Sequence, residues 1–299
     1  MCSLGLALRI RQITSILIGS IDELCGLQVG MRNLRLGISL IGISIFSILI
    51  LDFLPGPWVN EMPFADSTFV YVVMGLVFYV AIYFLGSPSL KYFGLPRWHF
   101  KTGVGLLVGS FFVISEITGS DNVHLGAIIS IRGVIFLLAV GFGEEMVSRG
   151  LVYGALEKFG NPSAIFISSL LFGLMHLNLY TGGDWDPWEA YWHVTSAFAF
   201  GLLACALMII TRSIWVAVIF HALCDWSIVF DKTSANLPGR QDWGVGFWEG
   251  VTVPFSNVSL YIGCALVLLW IDRGGVPVWV YRLALKWKLV KPEVQYLAN

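Results

Sequence analysis

Charge is what this sequence has least of. Asp, Glu, Lys and Arg make up 12% of its 299 residues, about half the share of a soluble domain. The net charge is −1, so there is no basic excess to hold nucleic acid. The five cysteines, at positions 2, 25, 205, 224 and 264, are odd in number and lack paired spacing. That argues against a disulfide framework or a zinc ribbon. No His-Glu-x-x-His occurs, so the strongest zinc-protease signal is missing. The N-terminal stretch has no small-residue cleavage site after a compact apolar core, and no removable signal peptide is expected. The last residues, Tyr296 to Asn299, contain no prenylatable cysteine. There is no internal repeat or low-complexity segment.

What is present is apolar: 57% hydrophobic residues and a mean hydropathy of +0.79. The fold class expected is all-α, a polytopic transmembrane helical bundle of about eight spans with amphipathic interfacial helices at both ends. The spans are read at about 36–54, 67–85, 102–117, 124–158, 162–180, 190–211, 214–230 and 256–271. Pro55, Pro57 and the Gly160–Pro162 turn punctuate them. Trp58, Trp98, Trp185, Trp188, Trp215 and Trp243 lie near run ends, as interfacial anchors do. The organisation expected is an amphipathic segment 1–35, spans over 36–123, a polar-motif core 124–230, a loop and last span over 231–272, and a basic tail 273–299.

Lys and Arg alternate from loop to loop. They occur in 1–35, 86–101, at Lys158, at Arg212 and in the tail, and are absent from 55–66, 118–123 and 181–189. Lys232 and Arg240 break the pattern. The positive-inside rule then puts both termini in the cytoplasm. That corresponds to a plasma membrane in a prokaryote or an endoplasmic reticulum in a eukaryote.

Three polar sites interrupt the apolar spans. The first is Gly141-Phe-Gly-Glu144-Glu145-Met-Val-Ser-Arg149-Gly150. Charge at membrane depth is tolerated mainly where it faces a bundle interior or a wet cavity. Glu145 and Arg149 are spaced i,i+4 in the favourable order, so they brace the helix. Glu144 points about 100° away and lacks that partner. A structural ion cluster or a transport path is the rival reading. The second site is Phe172-Gly-Leu-Met-His176. Glu144 lies 16 residues before Gly160 and His176 lies 16 after it, so an antiparallel hairpin sets both at the same height. The third is His221-Ala-Leu-Cys-Asp225, where Asp can orient an imidazole on the same helix face. These groups suit water activation and oxyanion stabilisation. Two His and a carboxylate are also compatible with zinc. The pattern commits to no cofactor and leaves a divalent metal such as zinc open.

Glu-Glu-x-x-x-Arg at 144–149, Phe-x-x-x-His at 172–176 and His-x-x-x-Asp at 221–225, in that order, resemble the CAAX protease and bacteriocin-processing (CPBP/Abi) family over about residues 125–230. The resemblance implies an intramembrane endopeptidase with a catalytic core at 124–230. It makes Glu144 the water-activating carboxylate and His176 its partner at the water. His221 and Asp225 serve the oxyanion side, and Glu145 and Arg149 support them. The family's third motif often ends in Asn. Asp225 departs from that: it is protonated, orients His221, or ligates a metal. The substrate implied is a lipidated or hydrophobic peptide or protein reached from the cytoplasmic side or laterally, with CAAX-type removal of a C-terminal tripeptide as one option. A non-catalytic membrane binding or bacteriocin-immunity protein on the same fold and an ion-coupled transporter are the alternatives. Elsewhere, Glu116 and Arg132 are expected to pair. His193, beside Trp192, reads as interfacial, and His99 and His124 fall in loops. Cys224 lacks an activating geometry for a nucleophile.

Overall fold

A computed structural model describes residues 65–122, 125–177, 187–231, 247–252 and 255–274, with residues 37, 282, 285 and 286. The expected first span, the amphipathic N-terminal segment, most of the basic tail, and Trp58, Trp185, Trp243 and His124 lie outside these residues. The described chain is a helical bundle with no strands. One isolated antiparallel bridge joins Asn122 and Asp231.

The helices are α1 (Ala65–Phe84), α2 (Phe100–Gly119), α3 (Ala127–Glu145), α4 (Asn161–Met175), α5 (Pro187–Thr211), α6 (Ile214–Cys224), α7 (Trp226–Phe230), α8 (Phe247–Thr252) and α9 (Phe255–Asp272). α3 runs on through a π-wound stretch, Met146–Tyr153, and two short turns to Phe159. Four of these rods are long and apolar enough to cross a membrane: Ser67–Phe84, Phe100–Gly119, Ala127–Phe159 and Pro187–Thr211. The apolar helices Asn161–Met175, Ile214–Phe230 and Val258–Asp272 are shorter. This is an integral membrane protein.

Local chemistry explains the breaks. The His99 imidazole caps α2 by accepting from the Thr102 backbone N–H at 3.1 Å. Gly160, at φ +97°, supplies the left-handed turn before α4. α5 ends in a Schellman arrangement: Ser213 N–H bonds to the Met208 carbonyl and Arg212 N–H to that of Ile209. The left-handed residue is Arg212, at φ +60°. Its guanidinium is held by Asp272 at 3.0 Å.

Two helix ends differ from the sequence reading. α4 stops at Met175 rather than running to 180, which makes His176 its C-cap. The expected 214–230 rod is broken at Asp225, whose φ −88° and ψ 15° leave the α-helical region. α2 is longer than expected, at 20 residues.

α5 is the central helix. Leu203, Leu207, Met208 and Ile210 are fully buried, and α2, α4, α6 and α9 pack around it. α3 fills the other side, between α1 and α6. The outward faces carry Phe69, Leu107, Ile131, Phe166 and Leu266. An apolar exterior over an internally satisfied backbone is the arrangement lipid demands.

The two ends of the bundle differ in charge. At one end Lys91 pairs with Glu157, Arg97 N–H bonds to the Thr211 carbonyl and Lys101 Nζ donates to the Asp272 carbonyl at 2.9 Å. At the other, Trp226 Nε1 donates to Asn122 Oδ1 at 2.7 Å, and Asp121 N–H donates to Asp231 Oδ2 at 3.1 Å.

Candidate active site

Close helix approach assembles the polar residues. A Cβ at Gly141 would lie 2.6 Å from the Val218 carbonyl oxygen, so the missing side chain lets α3 touch the α6 backbone. One turn further along each helix, Glu144 and Glu145 meet His221. His221 Nδ1 donates to Glu145 Oε1 at 2.9 Å. The acceptor is a carboxylate, so Nδ1 carries the hydrogen. Nε2 of the same ring faces Glu144 Oε2 at 3.6 Å and Asp225 Oδ2 at 3.4 Å.

His176 enters from the end of α4. Its Nδ1 lies 2.8 Å from the Phe172 carbonyl oxygen. A carbonyl only accepts, so Nδ1 is again the protonated nitrogen and Nε2 is turned inward. Nε2 stands 3.9 Å from Glu144 Oε2. Both imidazole–Glu144 separations exceed a direct hydrogen bond. Among the described residues, Glu144 Oε2 is buried without a hydrogen-bond partner.

Behind this centre, Glu145 and Arg149 are fully buried. Arg149 donates to Glu145 Oε1 at 3.0 Å and to the Gly201 carbonyl at 3.0 Å. Its guanidinium also lies 4.5 Å from the centre of the Phe172 ring. The result is a continuous chain, Arg149–Glu145–His221. Ser89 and Ser87 flank the π-wound stretch and donate to the Gly150 carbonyl at 2.5 and 3.3 Å. π-bulges within α-helices frequently occur at functional sites.

The six residues singled out by sequence, Glu144, Glu145, Arg149, His176, His221 and Asp225, therefore converge. Some assignments change. Glu145 is more than a brace for its own helix, because it also holds His221. Nδ1 of His221 is held by Glu145 rather than Asp225, and Asp225 lies on the Nε2 side. Glu116 and Arg132 do not pair: Arg132 is exposed on α3, whereas Glu116 lies near Cys224 and Tyr261. His193 is not merely interfacial, since its ring centroid is 4.9 Å from that of His176. Sequence reasoning also passed over Phe200, whose ring faces His221 at 5.0 Å. Among the described residues no group of three or more His, Cys, Asp or Glu side chains converges in a form that could hold a metal ion.

Residues 127–227 match the family model described as type II CAAX prenyl endopeptidase Rce1-like. Over that stretch the chain is similar to an Rce1-like CAAX protease domain. All six converging residues fall inside that domain, as do His193 and Phe200. Its bounds take in α3 to α6 and the start of α7. No curated protein matches the chain.

Proposed function

We propose that the protein is an intramembrane endopeptidase that hydrolyses a peptide bond of a membrane-associated substrate with a water activated by Glu144. The observation that carries this reading is the buried Glu144 carboxylate, with Oε2 unpartnered among the described residues and two imidazole Nε2 atoms at 3.6 and 3.9 Å. A water seated off the Glu144–His176 line can bond to both groups. Glu144 takes a proton from it, and the oxygen attacks the scissile carbonyl. The tetrahedral oxyanion accepts from Nε2–H of His221 in its doubly protonated form, while Glu145 fixes the ring through Nδ1. Glu144 then returns the proton to the departing amine, and a carboxylate and an amine leave.

Asp225 and Glu144 flank His221 Nε2, and Arg149 lies behind Glu145. Donors and acceptors thus surround the reacting atoms. The substrate class is a lipid-anchored or hydrophobic chain, with CAAX-type removal of a C-terminal tripeptide from a prenylated protein as the reaction. An apolar groove of about 250 Å³ between α2 and α6, lined by Leu106, Val113, Leu207, Ile219 and Phe220, suits the lipid of such a substrate. The basic end of the bundle faces the cytoplasm under the positive-inside rule.

The test is Glu144→Gln in protein reconstituted into vesicles, with a farnesylated peptide ending in a CAAX sequence. Release of the tripeptide is followed by mass spectrometry. The variant should lose cleavage by a factor of about 10² or more while keeping the parent's melting temperature. Cleavage at the parent's rate would falsify the assignment of the base. A biological effect that survives without Glu144 and His176 would instead favour the non-catalytic binding protein.

A further inference from the structure

His176 occupies an awkward place for a residue that must aim at a reacting atom. It is the C-cap of α4, where the α-winding gives way to a 3-10 turn at residues 176–177. Among the described residues, one hydrogen bond, from Nδ1 to the Phe172 carbonyl, fixes one atom of the ring. A single bond leaves the ring free to pivot about it. The ring plane must be set by packing.

Two aromatic neighbours supply that packing. The Phe172 ring lies 4.9 Å from the His176 ring at 65°, and the His193 ring lies 4.9 Å away at 58°. Phe172 is itself held by the Arg149 guanidinium and by the Phe200 ring. His193 is held through its helix. A Cβ at Gly173 would sit 2.7 Å from the Val194 carbonyl oxygen, so α5 lies directly on α4 at this point. Trp192 Nε1 donates to the Gly250 carbonyl at 2.6 Å, which ties the same turn of α5 to α8. The first turns of α5 are therefore fastened on two sides, and His193 comes with them.

We infer that His193 is a positioning residue: its ring holds the His176 imidazole so that Nε2 stays directed at Glu144. This rests on the hydrolytic reading only for its effect on rate. The contact with His176 is ring on ring, so a phenyl ring at this position tests whether shape alone serves.

The experiment compares the full-length parent, His193→Ala and His193→Phe in vesicles, with two readouts. The first is cleavage of the farnesylated CAAX peptide. His193→Ala should lower kcat about tenfold with KM within about twofold, and His193→Phe should restore it. The second is independent of activity: the rate at which diethyl pyrocarbonate modifies His176, followed by peptide mass spectrometry. His193→Ala should speed modification of His176 several-fold, and His193→Phe should return it to the parent's rate. An unchanged rate at His176 in the alanine variant overturns the inference. So does a phenylalanine variant that shields His176 yet stays inactive, because the nitrogen would then be the needed group. If the parent cleaves nothing, the hydrolytic reading falls, and the modification rates still decide whether His193 holds His176.

Discussion

Arg149→Ala tests how far the buried charge chain holds the bundle together. The guanidinium and the Glu145 carboxylate are both fully buried. Three contacts disappear with the side chain: the 3.0 Å bond to Glu145, the 3.0 Å bond to the Gly201 carbonyl and the stacking on Phe172 at 4.5 Å. Removing one member of a buried pair costs roughly 3–5 kcal/mol, mainly because the other charge stays behind without compensation. His221 remains on Glu145 and keeps the loss from growing further. At about 2–4 °C per kcal/mol for a chain of this size, the melting temperature should fall by roughly 10 °C. The fluorescence of the 12 tryptophans makes thermal unfolding in detergent a direct assay. The double variant Glu145→Gln with Arg149→Met should melt closer to the parent than Arg149→Ala does, since no buried charge is then stranded. If Arg149→Ala melts within about 2 °C of the parent, the reasoning from burial is wrong.

Two further outcomes follow from the site. Asp225→Asn should keep kcat within about threefold, because an amide oxygen can still face His221 Nε2 and the amide N–H adds a donor, whereas Asp225→Ala should lose about tenfold or more. Steady-state cleavage separates the two, and equal loss in both would mean that the carboxylate charge itself is needed. Gly141→Ala drives a methyl to 2.6 Å from the Val218 backbone. It should destabilise by about 1–3 kcal/mol, read as a lower melting temperature, and pull His221 off Glu145.

Much of this was legible from the letters. The apolar runs announced the helical bundle, and the 16-residue symmetry of Glu144 and His176 about Gly160 announced that those two would meet. Glycine and proline marked the turns. The missed features share a cause: they depend on which helices touch, and residue order does not carry that information. His193 looked like an interface residue because it follows Trp192 near a span's start. Only the close α4–α5 crossing at Gly173 turns it toward His176. The second hydrogen bond of Glu145 needed the α3–α6 crossing at Gly141. Glu116 and Arg132 were matched by sign and by estimated depth, yet they sit on faces that look in different directions. The early end of α4 and the break at Asp225 were invisible because the apolar runs continue past them.

Lys101 and Arg212 both reach the last turn of α9, at the Asp272 carbonyl and carboxylate. α9 also lies along α5. That clasp has a consequence for biogenesis. A nascent chain halted before residue 255 would already contain every side chain of the site, yet lack the helix that buttresses α5. The candidate site therefore matures only when the final described span leaves the ribosome, and truncated translation products should be inert and open to quality-control proteolysis.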